Sequence, residues 1–70
     1  MKARRKFGGE TFYYFATRDT KKQAQKVADD VRRKFGVKAR VLKASGLHYY
    51  LVFTNSRSEA VRRLSRAINL

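Results

Sequence analysis

Apolar residues recur along this chain at two spacings, and the change from one to the other divides it into elements. Ala24, Val27, Ala28, Val31 and Phe35 fall at i, i+3, i+4, i+7 and i+11, the single stripe of an amphipathic helix. Thr20 and Gln23 have the spacing of a capping box before it, with Asp19 as a rival cap, and Gly36 follows as a left-handed C-cap candidate. A second stripe, Ala60, Val61, Leu64, Ala67 and Ile68, follows the Ser56/Glu59 capping-box spacing and predicts a helix to the end of the chain.

The remaining segments suit strands. ETFYYFATR, Glu10 to Arg18, is rich in aromatic and β-favouring residues. VKARVLK alternates from Val37, with Val37, Ala39 and Val41 on one face and Lys38, Arg40 and Leu42 on the other. After a short turn at Ala44 to Gly46, LHYYLVFT sets Leu47, Tyr49, Leu51 and Phe53 against His48, Tyr50, Val52 and Thr54. The last two strands are expected to pair as an antiparallel hairpin. The order β-α-β-β-α predicts an α+β domain over residues 10–70: a three-stranded antiparallel sheet with both helices on one face, in the ferredoxin-like split β-α-β arrangement. Residues 1–9 read as a basic arm, except that the Gly8-Gly9 pair can fold Lys2 to Phe7 back as a fourth strand.

Charge changes the picture from fold to function. Eighteen lysines and arginines stand against five acids, a formal charge of +13, which points to a polyanionic partner. The 43% hydrophobic content implies a real core, and 70 residues leave little room for a buried catalytic cleft. Without cysteine there is neither a thiolate metal site nor a cysteine nucleophile, and His48 has no convergent partner. Asp29 and Asp30, adjacent on a helix, diverge. No catalytic residue, metal site, cofactor or small-molecule substrate is expected. The longest apolar run is too short to span a bilayer and the N-terminus lacks the apolar region of a secretory signal, so the expectation is a cytoplasmic protein that does not engage membranes.

With Val37, Ala39, Val41, Tyr49, Leu51 and Phe53 turned inward, the open sheet face would present Lys38, Arg40, His48, Tyr50 and Thr54. The first strand adds either Tyr13 with Phe15 or Phe12 with Tyr14, and the reading adopted places Tyr13 outward beside Tyr50. Cations for phosphates and aromatics for bases and sugars would then share one surface. The candidate nucleic-acid contacts are Lys2, Arg4, Arg5 and Lys6 on the arm, Tyr13, Arg18, Lys38, Arg40, Lys43, His48 and Tyr50 on the sheet, and Arg62 and Arg66 on the last helix.

From Phe15 to Ile68 the chain resembles the later portion of a LAGLIDADG homing-endonuclease domain. GVKARV, YYLVFTN and RRLSRAI stand where that family has GI-x-A-x-(V/I), YYxLxI-(S/T)-(G/N) and (R/K)RLxxxI. The resemblance implies a concave sheet lying in a DNA major groove, with Lys38, Arg40, His48 and Tyr50 facing DNA. The name-giving helix with its metal-binding acid has no counterpart, so no nuclease activity is implied. The same order also resembles an RNA-recognition motif missing its last strand, and a SPOR peptidoglycan-binding domain. The expected function is non-enzymatic nucleic-acid binding, duplex DNA ahead of RNA. A protein-interaction or self-association module is the alternative, with homodimer pairing through the open edge of Glu10–Arg18 if that strand stays unpaired.

Overall fold

The computed structural model describes residues 4–44, 46 and 48–68. Strands β1 (Arg4–Phe7) and β2 (Glu10–Arg18), helix α1 (Lys21–Phe35), strands β3 (Ala39–Lys43) and β4 (Tyr50–Thr54) and helix α2 (Glu59–Ile68) follow in that order. The sheet order β1-β2-β4-β3 is antiparallel throughout. β2 and β3 flank β4 and run parallel to each other, so the expected split β-α-β unit is present, extended by a fourth strand. Of the two readings of the N-terminal segment, Arg4–Phe7 is a strand. Gly8 and Gly9 both have positive φ (58° and 85°), as a two-residue hairpin turn of the primed type requires, and Phe7 pairs with Glu10 across them. Lys2 lies outside the described residues. β1 also occupies the edge of Glu10–Arg18 through which two copies were expected to pair.

α1 starts and stops as its sequence predicts. Thr20 Oγ1 accepts from Gln23 N at 3.1 Å, and Gly36, at φ 65°, donates its N–H to Arg32 O at 2.9 Å. α2 departs from expectation. Its cap is Ser58, whose Oγ accepts from Val61 N at 3.3 Å, while Ser56 Oγ accepts from Ser58 N at 3.2 Å. The cap therefore lies two residues later than Ser56 and the helix begins at Glu59; it turns Val61, Leu64 and Ile68 to the core and leaves Ala60 and Ala67 exposed.

The helix side of the sheet is built from small residues. Ala16, Ala39 and Val52 meet Ala24, Ala28 and Val31 of α1, with Phe15 and Val61 completing the cluster. β2 carries a bulge between Tyr14 and Ala16, which turns both Phe15 (1% exposed) and Ala16 (0%) toward the helices. Ser65 Oγ of α2 donates to Phe15 O at 2.5 Å, and Arg18 Nη2 donates to Ile68 O at 3.3 Å, so α2 is tied to β2 at both points.

The expected faces of β4 are exchanged. Its register puts Tyr50, Val52 and Thr54 beside Lys43, Val41 and Ala39 on the helix side; Leu51 and Phe53 lie beside Leu42 and Arg40 on the other. Both sets are apolar, so alternation did not discriminate them; the alanine-rich α1 does, because its close approach accommodates Val52 better than Phe53. The strand begins at Tyr50 rather than Leu47, which places exposed His48 in the connecting loop and leaves Tyr49 half-buried before the strand. Tyr13 likewise lies on the helix side, paired with Thr54, while Phe12 and Tyr14 occupy the open face.

That face holds a second apolar cluster beneath no helix. Phe7 makes edge-on contacts with Phe12 (5.3 Å between centroids) and Phe53 (6.1 Å), and Tyr14 with Phe53 (6.3 Å). Arg40 Cζ sits 4.8 Å from the Phe7 ring centroid and covers the cluster. Phe12 and Phe53 are only 3% and 2% exposed, so the curled sheet and this cover do what a helix layer does on the other side. Phe12→Ala is expected to lose about 3–5 kcal/mol, a large part of the stability of so small a domain, in urea denaturation. His48→Ala should stay within about 0.5 kcal/mol of the parent. Equal, small effects would show that the open face holds no second core.

Candidate nucleic-acid interface

β1 and β2 extend past the area covered by the helices, and the hairpin they form faces α2 across a groove of 1260 Å³. Arg4, Lys6, Thr11 and Tyr13 line its hairpin wall; Arg62, Ser65 and Arg66 line the α2 wall; Ser56 and Arg57 close the end between them. Arg57 Cζ stands 5.2 Å from the Tyr13 ring centroid, which holds that guanidinium over the groove instead of leaving it free in solvent. Arg5 pairs with Phe12 on the open face yet also lines the groove from the β1 edge, and its guanidinium lies 5.9 Å from the Phe7 ring centroid. It therefore joins the two basic surfaces around the edge of the sheet.

Among the described residues, six cations and no carboxylate line this groove. Four of the five acids are engaged elsewhere: Asp29 with Arg32 (2.8 Å), Asp30 with Arg33 (3.0 Å), Glu10 with Lys38 (3.2 Å) and Glu59 with Arg63 (3.4 Å). Among the described residues, no groove cation belongs to an ion pair. Because these surface pairs lie outside the groove, its positive potential is left intact and its cations are available to an external anion.

The structure separates the sequence-derived candidates into four groups. Arg4, Arg5, Lys6, Tyr13, Arg62 and Arg66 come together at the groove. Lys38 and Arg40 lie on the open face but are already engaged, Lys38 with Glu10 and Arg40 over Phe7. Arg18 is half-buried, donating to Thr17 O at 2.6 Å and to Ile68 O, so its place is that of a tie between β2 and α2. Lys43, His48 and Tyr50 sit at the far end of the sheet, where Tyr50 packs against the helix-side core and His48 is exposed in its loop. The expected shared surface of Lys38, Arg40, His48, Tyr50 and Tyr13 is thus not assembled, because β4 is turned over and Tyr13 lies on the opposite side of the sheet.

Arg57 and the hydroxyl-bearing Thr11, Tyr14, Ser56 and Ser65 are the groove residues that sequence reasoning missed. Arg57 carried one signal, its position between the serines that precede α2, where a cation is held near both a strand end and a helix start. Among the described residues, no group of three His, Cys, Asp or Glu side chains could hold a metal, and no helix is long and apolar enough to cross a membrane.

The Glu10 cluster sets the geometry of the open face at one end. Asn55 Nδ2 donates to Glu10 Oε2 at 2.9 Å, Asn55 Oδ1 accepts from Lys38 N at 3.0 Å, and Lys38 Nζ donates to Glu10 Oε1. The Asn55 hydrogen bond, and then that of Lys38, hold the Glu10 carboxyl below its ordinary pKa. A lowered folded-state value means that this stabilisation is present above the unfolded-chain pKa and is lost as pH falls through the folded one. A carbon-detected NMR titration should therefore show Glu10 with the lower midpoint in the parent protein and a raised one in Asn55→Ala; identical midpoints in the two proteins would remove Asn55 as the cause.

No family model, curated protein or solved structure matches this chain.

Proposed function

We propose that this chain is a non-enzymatic nucleic-acid-binding protein whose groove between the β1-β2 hairpin and α2 grips the phosphate backbone of double-stranded DNA. The observation that carries the reading is the segregation of charge: six cations line one groove while the paired acids lie outside it. Arginine dominates that set, and its planar fork suits phosphate oxygens, with Thr11 and Ser56 supplying hydroxyls beside it. The four-stranded sheet backed by two helices is also the architecture the LAGLIDADG resemblance implies once its name-giving helix is left out.

Duplex is favoured over single strand by the aromatics. Binding of single strands relies on exposed rings on which bases stack. Here Phe12 and Phe53 are buried, Phe7 is covered by Arg40, Tyr50 packs on the core and Tyr13 lies under Arg57. The RNA-recognition-motif reading needs such rings on the open face and is correspondingly weaker.

Three double charge reversals distinguish the surfaces: Arg62→Glu/Arg66→Glu in the groove, Lys38→Glu/Arg40→Glu on the open face and Lys21→Glu/Lys22→Glu on the exposed start of α1. In a fluorescence titration against a duplex, the parent's log K should fall linearly with log salt, by about 0.9 for each phosphate neutralised. The groove variant is expected to bind at least about tenfold more weakly and to show a slope shallower by roughly two phosphates. The α1 variant should change little. Equal losses from all three would reduce the effect to net charge, loss from the open-face variant alone would move the contact to the sheet, and no binding by the parent at low salt would remove the function.

A further inference from the structure

α1 packs across β3, β4 and β2 while α2 packs on β2, and the two helices leave a cleft of 690 Å³ between them. Its floor is the buried Phe15, and half-buried Val27, Leu64 and Ile68 form its walls. Along α1 it runs from Gln23 to Lys34, about 16 Å at the helical rise, which is the length of three helical turns. Its rim is cationic. Lys26 and Lys34 are exposed and belong to no ion pair among the described residues, whereas Asp30, the acid on the rim, is held by Arg33. The cleft lies away from the basic groove and shares none of its lining residues.

We infer that this cleft docks an acidic amphipathic helix of a partner protein, which would complete the helix layer on the sheet. The length and the apolar floor suit a stripe of residues at i, i+3 or i+4 and i+7, the usual helix-in-groove arrangement. The rim selects the flanks of that stripe, since glutamates or aspartates beside it would meet Lys26 and Lys34. A second copy of this chain is disfavoured by the same feature, because a chain of charge +13 would bring cations against cations there.

The probe is a synthetic 15-residue helix with leucines at those spacings flanked by glutamates. Its controls are a scrambled isomer of equal charge and vesicles of anionic phosphatidylglycerol. Methyl-detected NMR of the whole chain should show the peptide shifting Val27, Leu64 and Ile68, with the scrambled isomer leaving these methyls in place. Lys26→Glu/Lys34→Glu, on exposed positions that leave the fold intact, should weaken the peptide roughly fivefold. Val27→Asp, checked for folding by circular dichroism, should abolish the methyl shifts. The inference is overturned if the scrambled isomer shifts the same methyls equally, if the peptide perturbs only the Arg62/Arg66 groove, or if vesicles shift the methyls while the peptide does not.

Discussion

The bulge at Phe15 decides which side of β2 every other residue serves. In a regular strand Tyr13, Phe15 and Thr17 would share one face; here Tyr13, Phe15, Ala16 and Arg18 face the helices, and Phe12, Tyr14 and Thr17 face away. The bond between Tyr14 Oη and Thr17 Oγ1 at 2.5 Å, three residues apart on one strand, follows directly from that shift. So does the reach of Arg18 to the last turn of α2. One inserted residue thus gives α2 its two polar attachments to the sheet and places Tyr13 beneath Arg57 at the groove.

A second constraint is the sorting of apolar residues by size. Alanines and valines dominate the contact between α1 and the sheet, so the helix lies close and larger rings have little space there. Phe7, Phe12, Tyr14 and Phe53 gather on the far side, where curling of the strands brings them together and Arg40 covers them. A sheet that would otherwise have one dry and one wet face has two apolar clusters, and its surface chemistry moves to the rims and to the margin beside α2. This is why six unneutralised cations gather in a basic groove and not in the middle of the open face.

Much of the architecture was legible in the sequence because it rests on local signals. The α1 stripe, the Thr20 cap, the Gly36 stop and the paired glycines of the first turn each act over a few residues, and each is found where the pattern placed it. The faces of β2 and β4 were not legible. Alternation locates a buried face only when the opposite face is polar, and here Tyr50 with Val52 competes with Leu51 and Phe53. The bulge has no local signature in FYYFAT, since its effect depends on what α2 offers to the strand. The candidate cations scattered over β1 and α2 were recognised one by one, but their convergence on a single groove required the hairpin of β1 on β2, which residues 1–9 offered as one of two readings. Arg57 belonged to no periodic element and so escaped any argument from periodicity.

The two outer strands show what the same charges do when no partner is present. Among the described residues, β1 leaves one side of its backbone unpaired and carries exposed Arg4, Arg5 and Lys6 at three successive positions, and β3, the other outer strand, carries exposed Arg40 and Lys43. A second molecule adding its own edge to either would set arginine and lysine against their like across a ladder spacing of about 5 Å, a repulsion that opposes edge-to-edge growth. The basic character of the chain therefore guards it against fibrous association, and that protection weakens as salt rises and screens the repulsion.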